Sequence, residues 1–206
     1  MKRTMIGKIA LCAGALLALA GRGWALIAFQ PGGSLRVEGD STLHRWSSTA
    51  TVIAMSFELD GGAPQSLFEA IQASRVKSME ARIAVAGLKS GESGLDKNMR
   101  KAMKEAEFPD VVYRLGRYAL KKDAPGGVLA AKAEGELTIA GRTKPVSIDV
   151  EFRAGPDAVA VTGSAALLMS DYGIKPPTLM LGAIKVRDPV AIRFDLILKP
   201  QKENTP

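Results

Sequence analysis

The stretch Val146-Ser-Ile-Asp-Val-Glu-Phe-Arg153 alternates apolar and polar residues without a break. Successive side chains of a β-strand point to opposite faces, so this alternation predicts a strand with one buried and one solvated face. The segment Val190–Leu196 repeats the pattern, with Arg193 and Asp195 on its polar side. Charges on that second face would be costly against lipid hydrocarbon. The two segments therefore predict a β structure with an apolar interior and a solvated exterior.

Weaker strand patterns occur along the rest of the chain, between turns rich in glycine and proline. They lie at Leu35–Val37, His44–Leu59, Ser74–Leu88, Val111–Tyr118, Val128–Ile139 and Val159–Met169. About eight strands at hairpin spacing predict an all-β sandwich or barrel. No repeat of fixed period interrupts this pattern, so one domain is expected.

One segment has helical and not strand spacing. The apolar positions of Leu95–Ala106 predict a helix between strands, and Ser93 with Asp96 resembles a capping box at its start. A shorter helical turn is a second option at Ser66–Ile71. The sequence thus predicts one helix that covers an edge or an end of the sheet.

Residues 1–25 predict a secretory signal peptide. A basic start precedes the apolar run Ile9–Ala20, and small residues follow around Ala25, where a signal peptidase would cut. The apolar run is too short to span a bilayer comfortably. Cleavage would leave a domain at 26–198 and a disordered tail at 199–206, periplasmic or secreted and without a transmembrane anchor. The formal charge would fall from +7 to +3, because the removed segment carries four basic residues and no acid.

The expected mature chain has few residues that could bind a metal ion or take part in catalysis. It holds one histidine, His44, and no cysteine, because Cys12 lies in the signal. Structural zinc needs about four nitrogen or sulfur ligands, so no metal site is predicted. Gly91–Leu95 lacks the second glycine of a nucleophile elbow. Basic residues are spread and not clustered with aromatics, which gives nucleic-acid binding no support. A binding protein without catalytic residues or cofactors is favoured over an enzyme.

Four segments together resemble the YceI-like family. Ser41–Trp46 is similar to its Ser-x-Leu-His-x-Trp opening, and Leu88–Met99 to its Leu-x-Ser-Gly and Met-Asp-x-x-Met segment, with leucine in place of the first methionine. Glu136–Val146 resembles its Leu-Thr-Ile-x-Gly hairpin, and Met169–Pro177 its closing signature. The segments occur in the family's order, which makes the set more specific than any single motif.

The resemblance implies an eight-stranded antiparallel lipocalin-like barrel, exported to the periplasm, that binds an isoprenoid quinone or polyprenyl lipid without catalysis. Candidate ligand contacts are Trp46, Ile148, Val150, Phe152, Met169, Tyr172, Ile192 and Phe194. Candidate head-group contacts are His44, Lys175 and Arg187. For each apolar residue, ordinary core packing is the alternative.

Two functions remain open at this stage. One is a carrier of a hydrophobic small molecule; the other is an envelope structural or stress-related interaction module with a filled barrel. A homodimer is compatible with either. The apolar residues Leu179–Leu181 follow Pro176-Pro177 and are interpreted as a plug at one end of the barrel or as a lip of its entrance.

Overall fold

The computed structural model describes residues 24–61, 66–121, 127–179 and 183–199. Within these ranges the chain forms eleven strands and two α-helices. The strands are β1 Trp24–Phe29, β2 Gly32–Ser41, β3 Arg45–Ala50, β4 Ala54–Asp60, β5 Val76–Ala84, β6 Asp110–Leu120, β7 Val128–Ile139, β8 Arg142–Ala154, β9 Val159–Leu168, β10 Thr178–Leu179 and β11 Ile184–Leu198. The helices are α1 Leu67–Gln72 and α2 Ser93–Ala102, and short 3₁₀ turns cover Val85–Gly87 and Met169–Tyr172.

Ten of the described strands form one antiparallel sheet in the order β1-β4-β5-β6-β7-β8-β9-β11-β2-β3, and β10 pairs only with β11. The sheet curls into a half-barrel of the lipocalin-like kind. Its β3 edge is tied to the segment after β5, because Thr49 N donates to Lys89 O at 2.8 Å and Lys89 N donates to Thr49 O at 3.0 Å. The core therefore lies inside the curl, against the inward-facing side chains.

The predicted all-β antiparallel class is confirmed, but the count of eight strands is not. Strand β1 was missed because its first residues were assigned to the predicted cleavage site. The predicted strand His44–Leu59 divides into β3 and β4 at residues 51–53. The alternation changes phase at this break, since Ala50 and Ile53 are both buried and the two residues between them are exposed. The interpretation of one continuous strand overlooked this change of phase.

The prediction of a single helix is wrong, because the shorter helical turn considered at Ser66–Ile71 forms as α1 between β4 and β5. The Ser66 hydroxyl caps this helix by accepting a hydrogen bond from Glu69 N at 3.1 Å. The predicted longer helix is confirmed as α2, but it ends at Ala102, and Lys104 adopts a positive φ of 54°. A left-handed residue of this kind terminates a helix, which explains why the predicted boundary at Ala106 was too late.

The proposed capping box at α2 is wrong as well. The N-cap is Glu92, without a side-chain hydrogen bond, and Asp96 does not pair with Ser93. Instead, Ser90 donates to Asp96 Oδ1 from its hydroxyl at 2.7 Å and from its backbone N at 2.8 Å. These hydrogen bonds hold the pKa of Asp96 below its usual value. Asp96 thus fastens the start of α2 to the preceding loop.

Antiparallel connections alternate between the two ends of the half-barrel. Helix α1 joins β4 to β5, and α2 joins β5 to β6, so the helices lie at opposite ends. We call these the α1 end and the α2 end. The same alternation places the turn 140–141 and the segment 169–179 at the α2 end. The turn 41–45 lies there too, because Ser41 at the end of β2 pairs with Val186 near the start of β11.

Candidate ligand-binding cavity

A cavity of about 270 Å³ occupies the inside of the half-barrel. Its wall consists of inward side chains of the sheet, together with Ile71 of α1 and Met99 of α2. It therefore reaches from the α1 end to the α2 end. No Lys, Arg, His, Asp or Glu of the described ranges belongs to its lining. The interior is apolar, and its volume lies just below the range usual for small-ligand pockets, about 300–1,000 Å³.

The structure brings together all eight predicted apolar contacts around this cavity. Its lining includes Trp46, Ile148, Val150, Phe152, Met169, Tyr172, Ile192 and Phe194. They come from β3, β8, β11 and the 3₁₀ turn at Met169–Tyr172, which lie far apart in sequence. The alternation of β8 and β11 places their apolar residues on one inward face. Their role as ligand contacts stays a prediction.

The three candidate head-group residues lie elsewhere. His44, Lys175 and Arg187 are exposed, and none of them lines the cavity. His44 belongs to the turn between β2 and β3, in which Ser41 Oγ donates to His44 O at 2.7 Å. Arg187 Nε lies 3.8 Å from Asp40 Oδ2. Their proposed contact with a head group stays a prediction, and it concerns the outer surface of the α2 end.

Three glycines shape the cavity wall. Gly39, Gly135 and Gly163 lie on inward-facing positions of β2, β7 and β9, and each is covered by an aromatic side chain of the neighbouring strand. Those side chains are Trp46, Tyr113 and Phe194, in the same order. A Cβ atom on any of the three glycines would overlap the ring.

These contacts explain how large aromatic residues can face inward without filling the interior. With no glycine side chain beneath it, each ring lies close against the wall, so the lumen beside it stays open. Glycine inside a strand weakens that strand and often marks a close approach of another group. The interior glycines were the one sequence signal that could have identified these positions. A search for alternating apolar residues does not single out glycine.

Two polar atoms in this apolar wall have no partner within the described part of the chain. They are the indole Nε1 of Trp46 and the hydroxyl of Tyr113, both buried. Burial raises the pKa of Tyr113 to about 12, so its phenol is neutral at ordinary pH. A buried polar group without a hydrogen bond costs about 1–3 kcal/mol. Ser48 Oγ is also unpartnered, but Ser48 does not line the cavity.

The segment after β9 covers part of the α2 end. Tyr172 and Ile174 are 3% and 7% exposed and line the cavity. The segment bends after Tyr172 at Gly173, whose φ of 66° lies in the left-handed region that favours glycine. Ser170 fastens the segment to β11 by donating to the Asp188 carboxylate from its N at 2.8 Å and its Oγ at 2.6 Å.

The predicted plug cannot be assigned to this cover. Of its residues, 180 and 181 lie outside the described residues, and the choice between plug and lip stays a prediction. The residues that cover the α2 end are those just before it, at 169–177.

The outer face of the sheet has the opposite character. Glu80 pairs with Arg82 at 2.8 Å and with Arg114 at 2.9 Å, and Glu38 pairs with Arg193 at 2.9 Å. Across the described ranges, no group of three or more His, Cys, Asp or Glu residues could hold a metal ion. Nor does any helix there have the length and apolar character to cross a membrane.

An antiparallel half-barrel around an apolar lumen defines a lipocalin-like protein with an internal cavity. The sequence model of the YceI-like domain matches residues 37–198, so the chain belongs to the YceI-like family. This match bears out the resemblance carried by the four sequence segments. Among curated proteins, the chain has no match.

Solved structures share this fold at low sequence identity. BcnA of Burkholderia cenocepacia has a TM-score of 0.63 at 15% identity, over 80% of this chain and 95% of that one. A polyisoprenoid binding domain from Saccharophagus degradans, implicated in plant cell wall breakdown, has a TM-score of 0.59 at 12% identity, over 84% and 99%. A Campylobacter jejuni YCEI protein variant has a TM-score of 0.54 at 16% identity, over 73% and 82%. At these identities the likeness concerns the fold alone.

Proposed function

We propose that this protein is a carrier or reservoir that holds an isoprenoid-type lipid in its cavity and catalyses no reaction. The observation that carries the proposal is the cavity of about 270 Å³ that reaches both helices and has no charged lining residue in the described ranges. Membership of the YceI-like family supports it, as does the description of the Saccharophagus degradans relative as polyisoprenoid binding.

Binding of such a ligand does not require a set of polar side chains in the cavity. Each buried methylene contributes about 0.8 kcal/mol. Association costs about 4–15 kcal/mol in lost translational and rotational freedom. Roughly ten buried carbons would therefore offset much or all of this cost. An isoprenoid tail supplies those carbons as a slender branched chain, which suits a lumen whose aromatic rings lie against the wall.

The proposal includes export to the periplasm or beyond. It rests on the predicted signal at residues 1–25, of which 1–23 lie outside the described residues. Strand β1 begins at Trp24, where Trp24 pairs with Asp60 and Ala25 pairs with Leu59. Cleavage after Ala25 would shorten β1 by these two residues. The intact mass of the protein recovered from the periplasmic fraction reports the cleavage site, and a full-length product retained in the cytoplasm would overturn export.

The test of the carrier function is extraction of the natively produced protein, followed by mass spectrometry of the extract and titration with an isoprenoid quinone. The matched variants are Ala133→Trp, which fills the middle of the lumen, and Ala119→Trp, which adds the same side chain at an exposed position of β6. We expect a co-purified lipid and titratable binding for the natural protein and Ala119→Trp. Ala133→Trp should lose at least about tenfold in affinity, because the indole occupies the ligand's space.

The contrary result is equally clear. An empty natural protein that binds neither the quinone nor a polyprenol would overturn the carrier function. The alternative, an envelope interaction module with a filled barrel, has no comparable support, because it requires an interior without a cavity.

A further inference from the structure

We propose that the protein docks with its α2 end on the surface of an anionic lipid bilayer, so that the mouth of the cavity faces the membrane. This inference rests on the proposed function and adds a partner surface and the orientation in which the lipid is exchanged. Three features of the α2 end carry it: the incomplete burial of α2 over the cavity, an excess of exposed cations, and an exposed leucine on a rigid turn.

The two helices cover the cavity to different degrees. In α1, Ala70 and Ile71 are buried. In α2, Leu95, Met99 and Ala102 recur at helical spacing and line the cavity, yet each is only half-buried. An element with few fully buried apolar side chains opens at a lower free-energy cost than a well-buried one. The mouth of the cavity therefore lies under α2.

The outer face of α2 is basic. Lys97 and Lys101 are four residues apart, which puts them on one face of the helix, and Lys104 follows in the turn that ends it. All three are exposed. The acid of this helix, Asp96, is buried and accepts hydrogen bonds from Ser90. Cations toward solvent and apolar side chains toward the cavity make a pattern typical of helices that lie on membrane surfaces.

The exposed charges of the two ends differ in sign. Exposed cations outnumber exposed acids in the described connections of the α2 end and the strand residues that border them. The cations are Arg45, Lys89, Lys97, Lys101, Lys104, Arg142 and Lys175, and the acids are Glu92, Glu107 and Asp171. At the α1 end, the corresponding exposed charges are Lys121, Lys199, Asp60, Glu69 and Asp157. An anionic surface therefore attracts the α2 end and not the α1 end.

A leucine projects from the turn 41–45 at the α2 end. Leu43 is 66% exposed, and its backbone N donates to Ser41 Oγ at 3.2 Å, which holds the turn. Thr42 N ties the turn to β11 by donating to Lys185 O at 3.0 Å. Fixed between the exposed cations Arg45 and Lys185, this apolar tip can enter the edge of the hydrocarbon layer while the cations contact lipid head groups.

A bilayer is also the partner that the proposed function requires at this end. Exposure of an isoprenoid tail to water is strongly unfavourable. A carrier whose mouth rests on the bilayer takes up the tail without passing it through water. Docking by the α2 end brings the half-buried apolar side of α2 next to the lipid that enters.

The test is sedimentation of the protein with vesicles of phosphatidylcholine, with and without phosphatidylglycerol, at low and at high salt. One variant combines Lys97→Gln, Lys101→Gln and Lys104→Gln. Its control removes the same charge at exposed positions nearer the α1 end, and combines Lys132→Gln, Arg153→Gln and Lys199→Gln.

A second variant, Leu43→Ser, removes the apolar tip. Its control is Ile197→Ser, because Ile197 is 44% exposed and lies near the end of β11 at the α1 end. Titration with a short-chain prenyl quinone in vesicle-free solution is measured for every variant. None of the replaced residues lines the cavity, so this affinity should stay the same.

We expect the natural protein to bind the phosphatidylglycerol vesicles at least about tenfold more tightly than the neutral ones, and high salt should abolish the difference. The variant of Lys97, Lys101 and Lys104 should lose at least about tenfold in affinity for the anionic vesicles, and its control less than about threefold. Leu43→Ser should lose at least about threefold, and Ile197→Ser should bind as the natural protein does.

Three results would overturn docking by the α2 end while the proposed function stands. They are equal binding to neutral and anionic vesicles, an equal loss in the lysine variant and its control, and no binding to either kind of vesicle. The last result would leave the basic surface to an acidic protein partner. Failure of the natural protein to bind the quinone in vesicle-free solution would instead overturn the proposed function itself.

Discussion

The two ends of the cavity are built from the same sheet but differ in whether the polar atoms of their aromatic residues have hydrogen-bond partners. At the α1 end, Ser66 caps the helix and Tyr118 donates to Ile71 O, so the local hydrogen bonds are made. At the α2 end, Trp46 Nε1 and Tyr113 Oη are buried without partners. Inward alternation is the same at both ends, so it cannot produce this difference. The difference shows that aromatic residues of one wall can have their polar atoms paired at one end and left without a partner at the other.

The largest expected effect concerns the length of the tail. Burial of each added isoprenoid unit, about five carbons, contributes up to about 4 kcal/mol of favourable transfer free energy. Affinity for a series of prenyl quinones should therefore rise by at least about tenfold per unit and then level off once the lumen between the two helices is full. Calorimetric titration of the series measures this. Affinity that is independent of tail length would show that the tail does not enter the cavity.

The next largest effect is expected from a substitution that disturbs packing at the α2 end. Gly39→Ala places a Cβ where the Trp46 ring now lies and forces the ring into the lumen. Overpacking of this kind costs about 1–3 kcal/mol of stability, and we expect quinone affinity to fall along with it. Gly94→Ala in α2 is the control, because a Cβ there meets no atom within 4 Å. Chemical denaturation and titration should leave that control as stable as the natural protein, or more stable by up to about 1 kcal/mol. If Gly39→Ala and Gly94→Ala had the same stability and the same quinone affinity, this would contradict the packing of Trp46 on Gly39.

A smaller effect is the pH dependence that Tyr113 adds to the α2 end. Burial raises its pKa to about 12, whereas the unfolded chain ionises near 10. The neutral phenol thus contributes stability that is fully present below pH 10 and is lost as pH rises toward 12. At pH 11 the loss is about 1.4 kcal/mol. The difference in unfolding free energy between the natural protein and Tyr113→Phe, measured from pH 8 to 11, isolates this effect. A difference that does not change with pH would mean that the phenol is solvated.

Much of this fold follows from period-two alternation, which is why β8 and β11 and their inward residues were predicted. Side-chain facing is a local property, and Ile148, Phe152, Ile192 and Phe194 all line the cavity. The break between β3 and β4 changes the phase of the alternation, since Ala50 and Ile53 are both buried, and a prediction of one continuous strand misses it. The true partner of Asp96 depended on the path of the loop before α2, which brings Ser90 to it.

The candidate site was predictable as a set of apolar residues, but the partners of its polar atoms were not. Those partners depend on which atoms meet in three dimensions. Tyr118 and Tyr113 lie five residues apart on β6, yet only Tyr118 finds a carbonyl oxygen. The interior glycines gave a hint of close packing, but their aromatic partners lie on neighbouring strands and become apparent only once the strands pair.

The most direct test of this account is an experimental structure of the protein with a prenyl quinone bound. We predict density of the prenyl tail inside the half-barrel, along the apolar wall between Met99 of α2 and Ile71 of α1. A quinone bound only on the outer surface, or an interior filled by side chains, would contradict it.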